Sequence, residues 1–249
     1  MSKDILALRK KFNVGGEFDN YVIAIAGNPN TGKSTIFNNL TGLRQHTGNW
    51  PGKTVLQAQG EFNYKSKKYL LVDLPGTYSL CANSPDEQVA RDFLCFAQPD
   101  ATIAVADATC LERNLNLILQ IIEITPKVVL CLNLMDEAKR KNIKVDIDIL
   151  THELGIPVVP TVARTGQGLQ ELKNVLEDLI VGEIDPIPHQ INYGDDIEMK
   201  VKEIEISLKD SLASKFISLR WLALRMLDED KSILEEINYY FPENSRVYV

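Results

Sequence analysis

The sequence predicts an α/β domain with a mostly parallel six-stranded sheet that contains one antiparallel strand, followed by a small all-α domain. From residue 21 to about residue 180, short apolar runs alternate with longer segments of helical period, which is typical of β-α-β units. A polar turn within 61–69 separates two strand-like runs, and strand-like runs end after residue 180. These three observations indicate the fold class.

Six strands are predicted from short runs rich in β-branched and apolar residues, at 21–26, 55–62, 69–73, 101–107, 127–133 and 157–160. The polar turn within 61–69 predicts a hairpin, which makes one strand antiparallel to the others. Two helices are predicted from apolar residues at helical spacing, namely Leu111, Leu115, Ile118 and Ile122, and then Leu169, Leu172, Val175, Leu176, Leu179 and Ile180.

The boundary between the two domains is predicted after residue 183. The segment Asp185-Pro186-Ile187-Pro188 cannot continue a helix, because proline lacks a backbone donor and clashes with the preceding turn. Beyond it, helical spacing connects Ile197, Val201, Ile204, Leu208 and Leu212, then Leu219, Trp221, Leu222, Leu224 and Leu227, and finally Ile233 and Ile237. We therefore divide the chain into an N-terminal arm (1–19), an α/β domain (20–183) and a helical domain (184–249).

The overall charge excludes one class of function. A net charge of −7 and an isoelectric point near 5.1 argue against a general nucleic-acid-binding protein, because such proteins direct a positive field at the phosphate backbone. The basic N-terminal arm is predicted to be a short solvated tail. No apolar run approaches the ~20 residues that span a bilayer, so the chain itself is predicted to be soluble.

Cysteine and histidine spacing predicts no metal site. The four cysteines, at 81, 95, 110 and 131, lack C-x-x-C spacing and are interpreted as small buried side chains in a reducing cytosolic compartment. His46 is interpreted as a solvated loop side chain, with a contact to a partner as the alternative, and His152 and His189 lie too far apart along the chain to suggest a metal site.

A phosphate-binding loop is predicted at 27–34, where the sequence matches G-x-x-x-x-G-K-[ST] between a strand and a helix. The loop's backbone N–H groups would form an anion nest, Lys33 would contact the β- and γ-phosphates, and the Ser34 hydroxyl would ligate Mg²⁺. A chance glycine-rich turn is the alternative, and the flanking strand and helix disfavour it. The predicted nucleotide-binding residues here are Gly27, Asn28, Asn30, Thr31, Gly32, Lys33, Ser34 and Thr35.

A second motif, Asp73-Leu74-Pro75-Gly76, ends another predicted strand. The Asp73 carboxylate is predicted to hold a Mg²⁺-bound water, and the Gly76 N–H is predicted to meet the γ-phosphate. Alone, D-x-x-G is a weak match. Its value comes from order and position, because the ends of adjacent parallel strands share one crevice.

A third motif, Asn133-Leu134-Met135-Asp136, has the N-x-x-D form that recognises guanine. An ionised carboxylate accepts from both guanine N1–H and the 2-amino group, whereas adenine offers a lone pair at N1 and no amine. An ordinary helix cap is the alternative interpretation. A fourth, looser match follows the last strand, where the Ala163 N–H is predicted to contact guanine O6 although the familiar Ser-Ala-Lys form is absent.

Four motifs in this order predict a P-loop NTPase of the Ras-like class, so the α/β domain (20–183) is interpreted as a GTP-binding (G) domain of the translation-factor-like or Era-like kind. Its predicted reaction is hydrolysis of GTP to GDP and phosphate with Mg²⁺.

The segment 45–55, taken with GNPNTGKST, DLPGTYSL and NLMD, resembles the cytosolic N-terminal region of the bacterial ferrous-iron transporter B family (FeoB). The resemblance implies a G domain joined to a helical, GDI-like domain that favours GDP retention. It also implies a multi-helix membrane permease in the complete protein, which places this chain at the cytoplasmic face of the bacterial inner membrane. The expected partners are a guanine nucleotide and that permease; a homo-oligomer is compatible with the sequence, and no nucleic acid is expected.

The same resemblance implies roles for two further residues. Thr54 becomes the threonine of switch I (42–54), which reaches Mg²⁺ with its hydroxyl and the γ-phosphate with its backbone. Asn30 becomes a ligand of an activating K⁺ ion, with carbonyl oxygens from 48–52 completing the shell, and K⁺ supplies the charge that an arginine finger supplies elsewhere. The implied catalytic set is therefore Lys33, Thr54, Gly76 and Asn30.

Two departures from common GTPases bear on the chemistry. Thr77 and Tyr78 follow Gly76 where many GTPases carry a water-orienting glutamine, so backbone groups near Gly76 and Thr54 are expected to position water, and slow turnover is expected. Trp50 is interpreted as a hydrophobic clasp on the nucleotide edge, with an exposed contact to another module as the alternative.

Three functions compete. The first is a GTPase switch that orders 42–54 and 74–85 and regulates ferrous iron uptake. The second is a nucleotide-dependent binding module with negligible hydrolysis, which the missing glutamine motivates. The third is an Era-like ribosome-assembly GTPase, which the acidic helical domain and the absence of a GXXG-containing RNA-binding domain disfavour.

Overall fold

The computed structural model describes residues 3–14, 20–42, 45–209 and 211–241. Seven strands in this part of the chain form one sheet in the order β2-β3-β4-β1-β5-β6-β7. They are β1 Asn20–Gly27, β2 Gln45–Asn49, β3 Leu56–Tyr64, β4 Lys67–Asp73, β5 Ala101–Asp107, β6 Val128–Asn133 and β7 Val158–Pro160. The helices are α1 Lys3–Lys11, α2 Lys33–Thr41, α3 Pro85–Phe96, α4 Leu111–Ile124, α5 Met135–Arg140, α6 Ile147–Leu154, α7 Leu169–Val181, α8 Asp195–Leu208, α9 Leu219–Leu227 and α10 Lys231–Tyr240.

The sheet confirms the predicted fold class, with a correction to the strand count. Only β3 runs against its neighbours β2 and β4, so the single antiparallel strand is confirmed for the described residues. The hairpin between β3 and β4 turns through Lys65 and Ser66, whose φ angles of 44° and 63° suit a two-residue hairpin loop. The count of six strands is wrong, because no strand was predicted at the position of β2. Its residues, Gln-His-Thr-Gly-Asn, form no apolar run, and backbone pairing with β3 makes the strand.

Two buried layers cover the faces of the sheet. Alternate residues of each strand point to opposite faces, so neighbouring positions such as Ile23 and Ala24 belong to different layers. The first layer includes α2 and α7, and its buried members include Ile25, Leu71, Ile103, Ile36, Phe37, Leu172 and Leu176. The second layer includes α3 and α4, and its buried members include Val72, Ala104, Leu130, Phe93, Ile118 and Ile121. Both predicted helices therefore pack with the expected apolar faces.

The helical domain packs onto the second layer. Leu222, Ile233 and Ile237 join the same buried cluster as α3 and α4, while Val201 packs with Ala223 in a smaller cluster. The predicted stripe on α8 begins one turn late, since Ile197 is exposed. Beneath α10 the fully buried Arg91 guanidinium pairs with Asp92 (2.7 Å) and contacts Asp230 and Ser232, which links the two domains through a buried charge network.

The N-terminal arm contradicts its prediction as a solvated tail. Residues 3–11 form α1, and Leu8, Phe12 and Val14 are buried. Arg9 is only 2% exposed, and its guanidinium donates to Ala97 O (3.1 Å) and to the Asp100 carboxylate (3.1 Å). The solvated tail was predicted from the basic residues of this segment. However, the i, i+4 spacing of Leu8 and Phe12 indicates a packed helical face.

The burial of the cysteines and the separation of two histidines differ in part from the predictions. Cys95 and Cys131 are buried as predicted, whereas Cys81 and Cys110 are exposed, and all four are free thiols. His152 and His189 are not separated in space, because their ring centroids lie 5.8 Å apart. Still, the described residues contain no group of three or more histidine, cysteine or acidic side chains that could hold a metal ion. None of the described helices is both long and apolar enough to cross a bilayer.

Candidate nucleotide-binding site

The predicted phosphate loop joins β1 to α2 at the carboxyl edge of the sheet. Asn30 and Gly32 have φ angles of 67° and 85°, and a Cβ on Gly32 would lie only 2.3 Å from Asn133 Nδ2. Glycine is therefore required at residue 32 for two reasons, backbone conformation and close approach. Inside the loop, the Thr31 hydroxyl donates to Asn28 O (2.9 Å) and both residues are buried. The Asn28 Nδ2 atom is buried without a hydrogen-bond partner among the described residues.

The loop lysine pairs with the carboxylate of the second motif. Lys33 Nζ donates to Asp73 Oδ1, and the two side chains are 10% and 18% exposed. The pairing follows from topology, because β1 and β4 are parallel neighbours with Ile25 in register with Asp73. Burial raises the pKa of Asp73 above its ordinary value, and the Lys33 ammonium opposes that rise. A ligand that draws Lys33 away leaves a buried carboxylate in need of another cation.

Asn133 connects three loops of the site and is 1% exposed at the end of β6. Its Nδ2 donates to Thr31 O (2.9 Å), while its Oδ1 accepts from the Thr161 hydroxyl (3.2 Å) and from the Ala163 N–H (3.0 Å). The helix-cap alternative fails here, because the residue that precedes α5 is Leu134, with φ 63° and no side-chain cap. Asn133 thus fixes the phosphate loop relative to the loop after β7.

Asp136 lies in the first turn of α5 and has one oxygen in use and one free. Oδ2 accepts from Arg164 Nη2 (3.2 Å), whereas Oδ1 is buried and has no hydrogen-bond partner among the described residues. A buried acceptor without a partner costs free energy, so it indicates a donor that a ligand brings. Arg164 was not predicted, because its contact with Asp136 depends on where two separate loops meet.

Ala163 is buried in a short 3₁₀ turn. Its N–H donates to Asn133, and its carbonyl accepts from Asn39 Nδ2 (2.5 Å) in α2. The predicted contact of this N–H with guanine O6 stays a prediction. In that contact the N–H would donate to guanine O6 as well as to Asn133 Oδ1.

Gly76 and Thr54 reach the same edge of the sheet by different routes. A Cβ on Gly76 would lie 3.5 Å from Pro29 Cα, so the loop after β4 abuts the phosphate loop. Thr54 is exposed in the loop that joins β2 to β3, and Ala58 of β3 is in register with Asp73, which places this loop at the carboxyl edge. Ser34 and Thr35 are exposed at the start of α2. The metal-binding roles of Ser34, Thr54 and Asp73, and the role of Asn30, stay predictions.

Trp50 corrects the interpretation as a clasp on the nucleotide edge. It is 2% exposed and belongs to the second buried layer, with its ring 5.4 Å from the Phe93 ring and 6.4 Å from the Phe12 ring. Its aromatic partners come from the end of the N-terminal helix and from α3, and spacing along the chain cannot reveal such partners. Thr77 is buried, while Tyr78 is exposed beneath the Arg113 guanidinium (4.5 Å).

A phosphate loop after β1, a carboxylate at the end of the adjacent β4 and an asparagine–aspartate pair at the end of β6 define a P-loop domain of the G-domain class. Residues 21–176 match the family model described as ferrous iron transport protein B, and residues 193–247 match the FeoB cytosolic helical domain. The chain belongs to the ferrous iron transport protein B (FeoB) family.

Solved structures of relatives agree in fold. The cytosolic domain of the T. maritima FeoB iron transporter, in its GDP form I, superposes with a TM-score of 0.80 at 41% identity, covering 91% of this chain and 87% of that one. The same domain has been solved in a GMPPNP form, with a TM-score of 0.79. The cytosolic domain of L. pneumophila FeoB gives 0.75 at 33% identity, covering 85% of this chain and 89% of that one.

Curated relatives are much longer than this chain. The Fe(2+) transporter FeoB of Escherichia coli (strain K12) is 40% identical over 216 residues, which are 84% of this chain and 27% of that protein. The Fe(2+) transport protein A/Fe(2+) transporter FeoB fusion protein of Porphyromonas gingivalis is 41% identical over 214 residues, 85% of this chain and 25% of that protein. The chain therefore spans about a quarter of the length of these relatives.

Proposed function

We propose that this chain binds GTP and GDP with Mg²⁺, hydrolyses GTP to GDP and phosphate, and thereby regulates ferrous iron uptake through a membrane permease portion of a larger protein. The observation that carries the proposal is the buried Oδ1 of Asp136, which has no hydrogen-bond partner among the described residues. Asp136 follows Asn133 by three residues, and Asn133 donates to Thr31 O of the phosphate loop. The proposal places the chain at the cytoplasmic face of the bacterial inner membrane and allows a homo-oligomer.

The base site supports guanine over adenine. Asp136 offers one carboxylate oxygen that has no donor among the described residues and a second whose donor, Arg164, is largely exposed and easily displaced. Guanine brings two donors on one edge, N1–H and the 2-amino group, and so satisfies both oxygens. Adenine would face the same carboxylate with a lone pair, so a polar site of this kind rejects it strongly.

The phosphate site supports a triphosphate with a divalent cation. A bound β- or γ-phosphate attracts Lys33, and the buried Asp73 then needs positive charge in place of the lysine. Carboxylate and hydroxyl oxygens suit Mg²⁺, so Ser34, Thr54 and Asp73, the last through water, are the residues that would hold it. When bound, Mg²⁺ would neutralise charge on the phosphates.

In this proposal hydrolysis depends on the positioning of the γ-phosphate and the attacking water, and no side chain acts as a general base. Lys33 and the Gly76 N–H bind γ-phosphate oxygens, and backbone groups near Gly76 and Thr54 orient water. The buried Thr77 and the Tyr78 ring under Arg113 lack a side-chain amide that could do so. This favours slow turnover, and it also keeps the second candidate, a binding module with negligible hydrolysis, in competition. Single-turnover hydrolysis separates the two, since the module predicts a rate equal to uncatalysed GTP loss.

Potassium is expected to accelerate hydrolysis about 10-fold or more over sodium, because an added cation beside the γ-phosphate stabilises transition-state charge. Asn30 is the proposed side-chain ligand, with carbonyl oxygens of 48–52 completing the shell. The test is single-turnover GTP hydrolysis in KCl and in NaCl at equal ionic strength.

The matched variant for this test is Asn30→Gly, which removes the amide and keeps the left-handed backbone at φ 67°. It should lose the difference between the two salts while retaining GDP binding. Equal rates of the unmodified chain in both salts would reject the role of Asn30 but leave guanine binding untouched.

A further inference from the structure

A buried aromatic cluster joins the N-terminal helix, switch I and the helical domain. The Phe12 ring, just after α1, stacks on Tyr240 of α10 (5.2 Å, 9°) and meets Phe93 of α3 (5.5 Å) and Trp50 edge to face (6.4 Å). Phe12 is 4% exposed and Trp50 is 2% exposed. We call Phe12, Trp50, Phe93 and Tyr240 the aromatic cluster, and residues 50–55 the Trp50 loop.

Polar contacts anchor the N-terminal helix on both sides of this cluster. Phe12 O accepts from Gln57 Nε2 (2.9 Å) of β3, the strand that follows the Trp50 loop. Lys11 Nζ donates to Tyr239 O (3.1 Å) of α10, and Arg9 pairs with Asp100 before β5. The N-terminal segment therefore contacts β3, the residue before β5 and the helical domain at once. It lies outside both ranges that match the family models, 21–176 and 193–247.

The Trp50 loop is held on the face of the sheet that carries α3. Lys53 Nζ donates to Gln88 Oε1 (2.7 Å) of α3, and Gln88 Nε2 donates to Glu236 Oε1 (3.4 Å) of α10. Helix α2, which begins with Lys33 and Ser34, packs on the opposite face. Movement of Thr54 toward a cation on Ser34 therefore works against the anchoring of Trp50 and Lys53.

The docked position of Trp50 also has a cost. Its Nε1 atom is buried and has no hydrogen-bond partner among the described residues. An unsatisfied buried donor lowers the stability of the state that contains it. The aromatic contacts thus hold the Trp50 loop in place, but the unsatisfied donor reduces the free energy that another interaction needs to displace the loop.

We propose that the N-terminal helix is an internal partner of switch I: Phe12 positions the Trp50 loop in its docked state, and this contact opposes binding of a nucleoside triphosphate relative to a diphosphate. The inference rests on the proposed guanine-nucleotide function. In the proposed function Thr54 contacts Mg²⁺ and the γ-phosphate, which a diphosphate lacks, so only the triphosphate would compete with the contacts of the Trp50 loop. By linkage, weakening the docked state raises triphosphate affinity and leaves diphosphate affinity unchanged.

The test compares Phe12→Ala with Phe241→Ala in the full chain. Phe241 is a matched control, because it is also a buried phenylalanine (5% exposed) and stacks on Phe216 rather than on Trp50. Calorimetry with Mg²⁺ should find that Phe12→Ala binds a nonhydrolysable GTP analogue about 5- to 30-fold more tightly, with GDP affinity within about twofold. Phe241→Ala should leave the ratio of the two affinities unchanged. Phe12→Leu keeps most of the side-chain bulk, so its affinity ratio should lie between those of the unmodified chain and Phe12→Ala.

A second readout needs no change at Phe12. In a Trp221→Phe background Trp50 is the sole tryptophan, and its emission should shift to longer wavelength with the GTP analogue but not with GDP. Unchanged Trp50 emission with the analogue, or an equal change of the affinity ratio in both alanine variants, would overturn the inference. Failure to bind either nucleotide would instead reject the proposed function itself, and the inference with it.

Discussion

Replacing Asp136 with asparagine is expected to lower GTP affinity by about 100-fold or more and to create a preference for xanthosine triphosphate. The carboxylate accepts from two donors of guanine, whereas the asparagine amide offers one acceptor and one donor. Xanthine carries N1–H and a carbonyl at position 2, which match that amide. The measurement is competition binding of the two nucleoside triphosphates to the unmodified chain and to Asp136→Asn.

Glu137→Gln is the matched control for this substitution. Glu137 is the neighbouring carboxylate on α5, and it pairs with Arg140 rather than with the loop that carries Ala163 and Arg164. It should keep its preference for GTP. The pairing of Asp136 with the exposed Arg164 contributes little to stability, so the Asp136→Asn chain should fold. An Asp136→Asn chain that still selects GTP would refute the assignment of the base site.

Lys33→Ala is expected to weaken GTP binding by at least about 100-fold, because charge-assisted hydrogen bonds contribute roughly 1.5–3 kcal/mol each and Lys33 would donate to two phosphates. The control is Lys67→Ala. Lys67 also pairs with a carboxylate, Glu177, but it begins β4 at the opposite edge of the sheet from the phosphate loop. Its loss should leave nucleotide affinity unchanged, and a similar loss of affinity in both variants would contradict the role of Lys33.

The same substitution predicts a pH dependence of stability without nucleotide. Burial raises the pKa of Asp73 and Lys33 lowers it, so removal of the lysine raises the pKa of Asp73 further. The folded state then binds a proton more tightly than the unfolded state, and stability falls as pH rises through that pKa. Thermal unfolding at pH 5 and pH 8 should therefore separate Lys33→Ala from the unmodified chain more at pH 8. An equal difference at both pH values would argue against a buried, lysine-dependent Asp73.

Spacing along the chain predicted the parts of the fold that carry apolar runs or glycine turns. The six strands and the helices at 111–124 and 169–181 have such signals, and so does the phosphate loop. Strand β2 does not, because backbone pairing with β3 forms it from polar residues. Helix α1 was missed although Leu8 and Phe12 had helical spacing, since a short charged segment gives no indication of what covers its apolar face.

The candidate site divides in the same way. Motif spacing indicated Lys33, Asp73, Asn133 and Asp136, because each lies at or just after the end of a strand on one edge of the sheet. The contacts among them arise from loops that are distant in sequence, as in the bond from Asn133 to Thr31 across 102 residues. For the same reason no spacing rule could assign Trp50 to the core, since its aromatic partners come from segments far along the chain.

Calorimetric titration of the unmodified chain with GDP and with ADP, in the presence of Mg²⁺, measures whether the site recognises guanine. The arrangement of Asp136, Asn133 and the phosphate loop predicts one binding site for GDP and an affinity for ADP at least about 1,000-fold weaker. Equal affinities for the two nucleotides, or no heat with GDP, would contradict it.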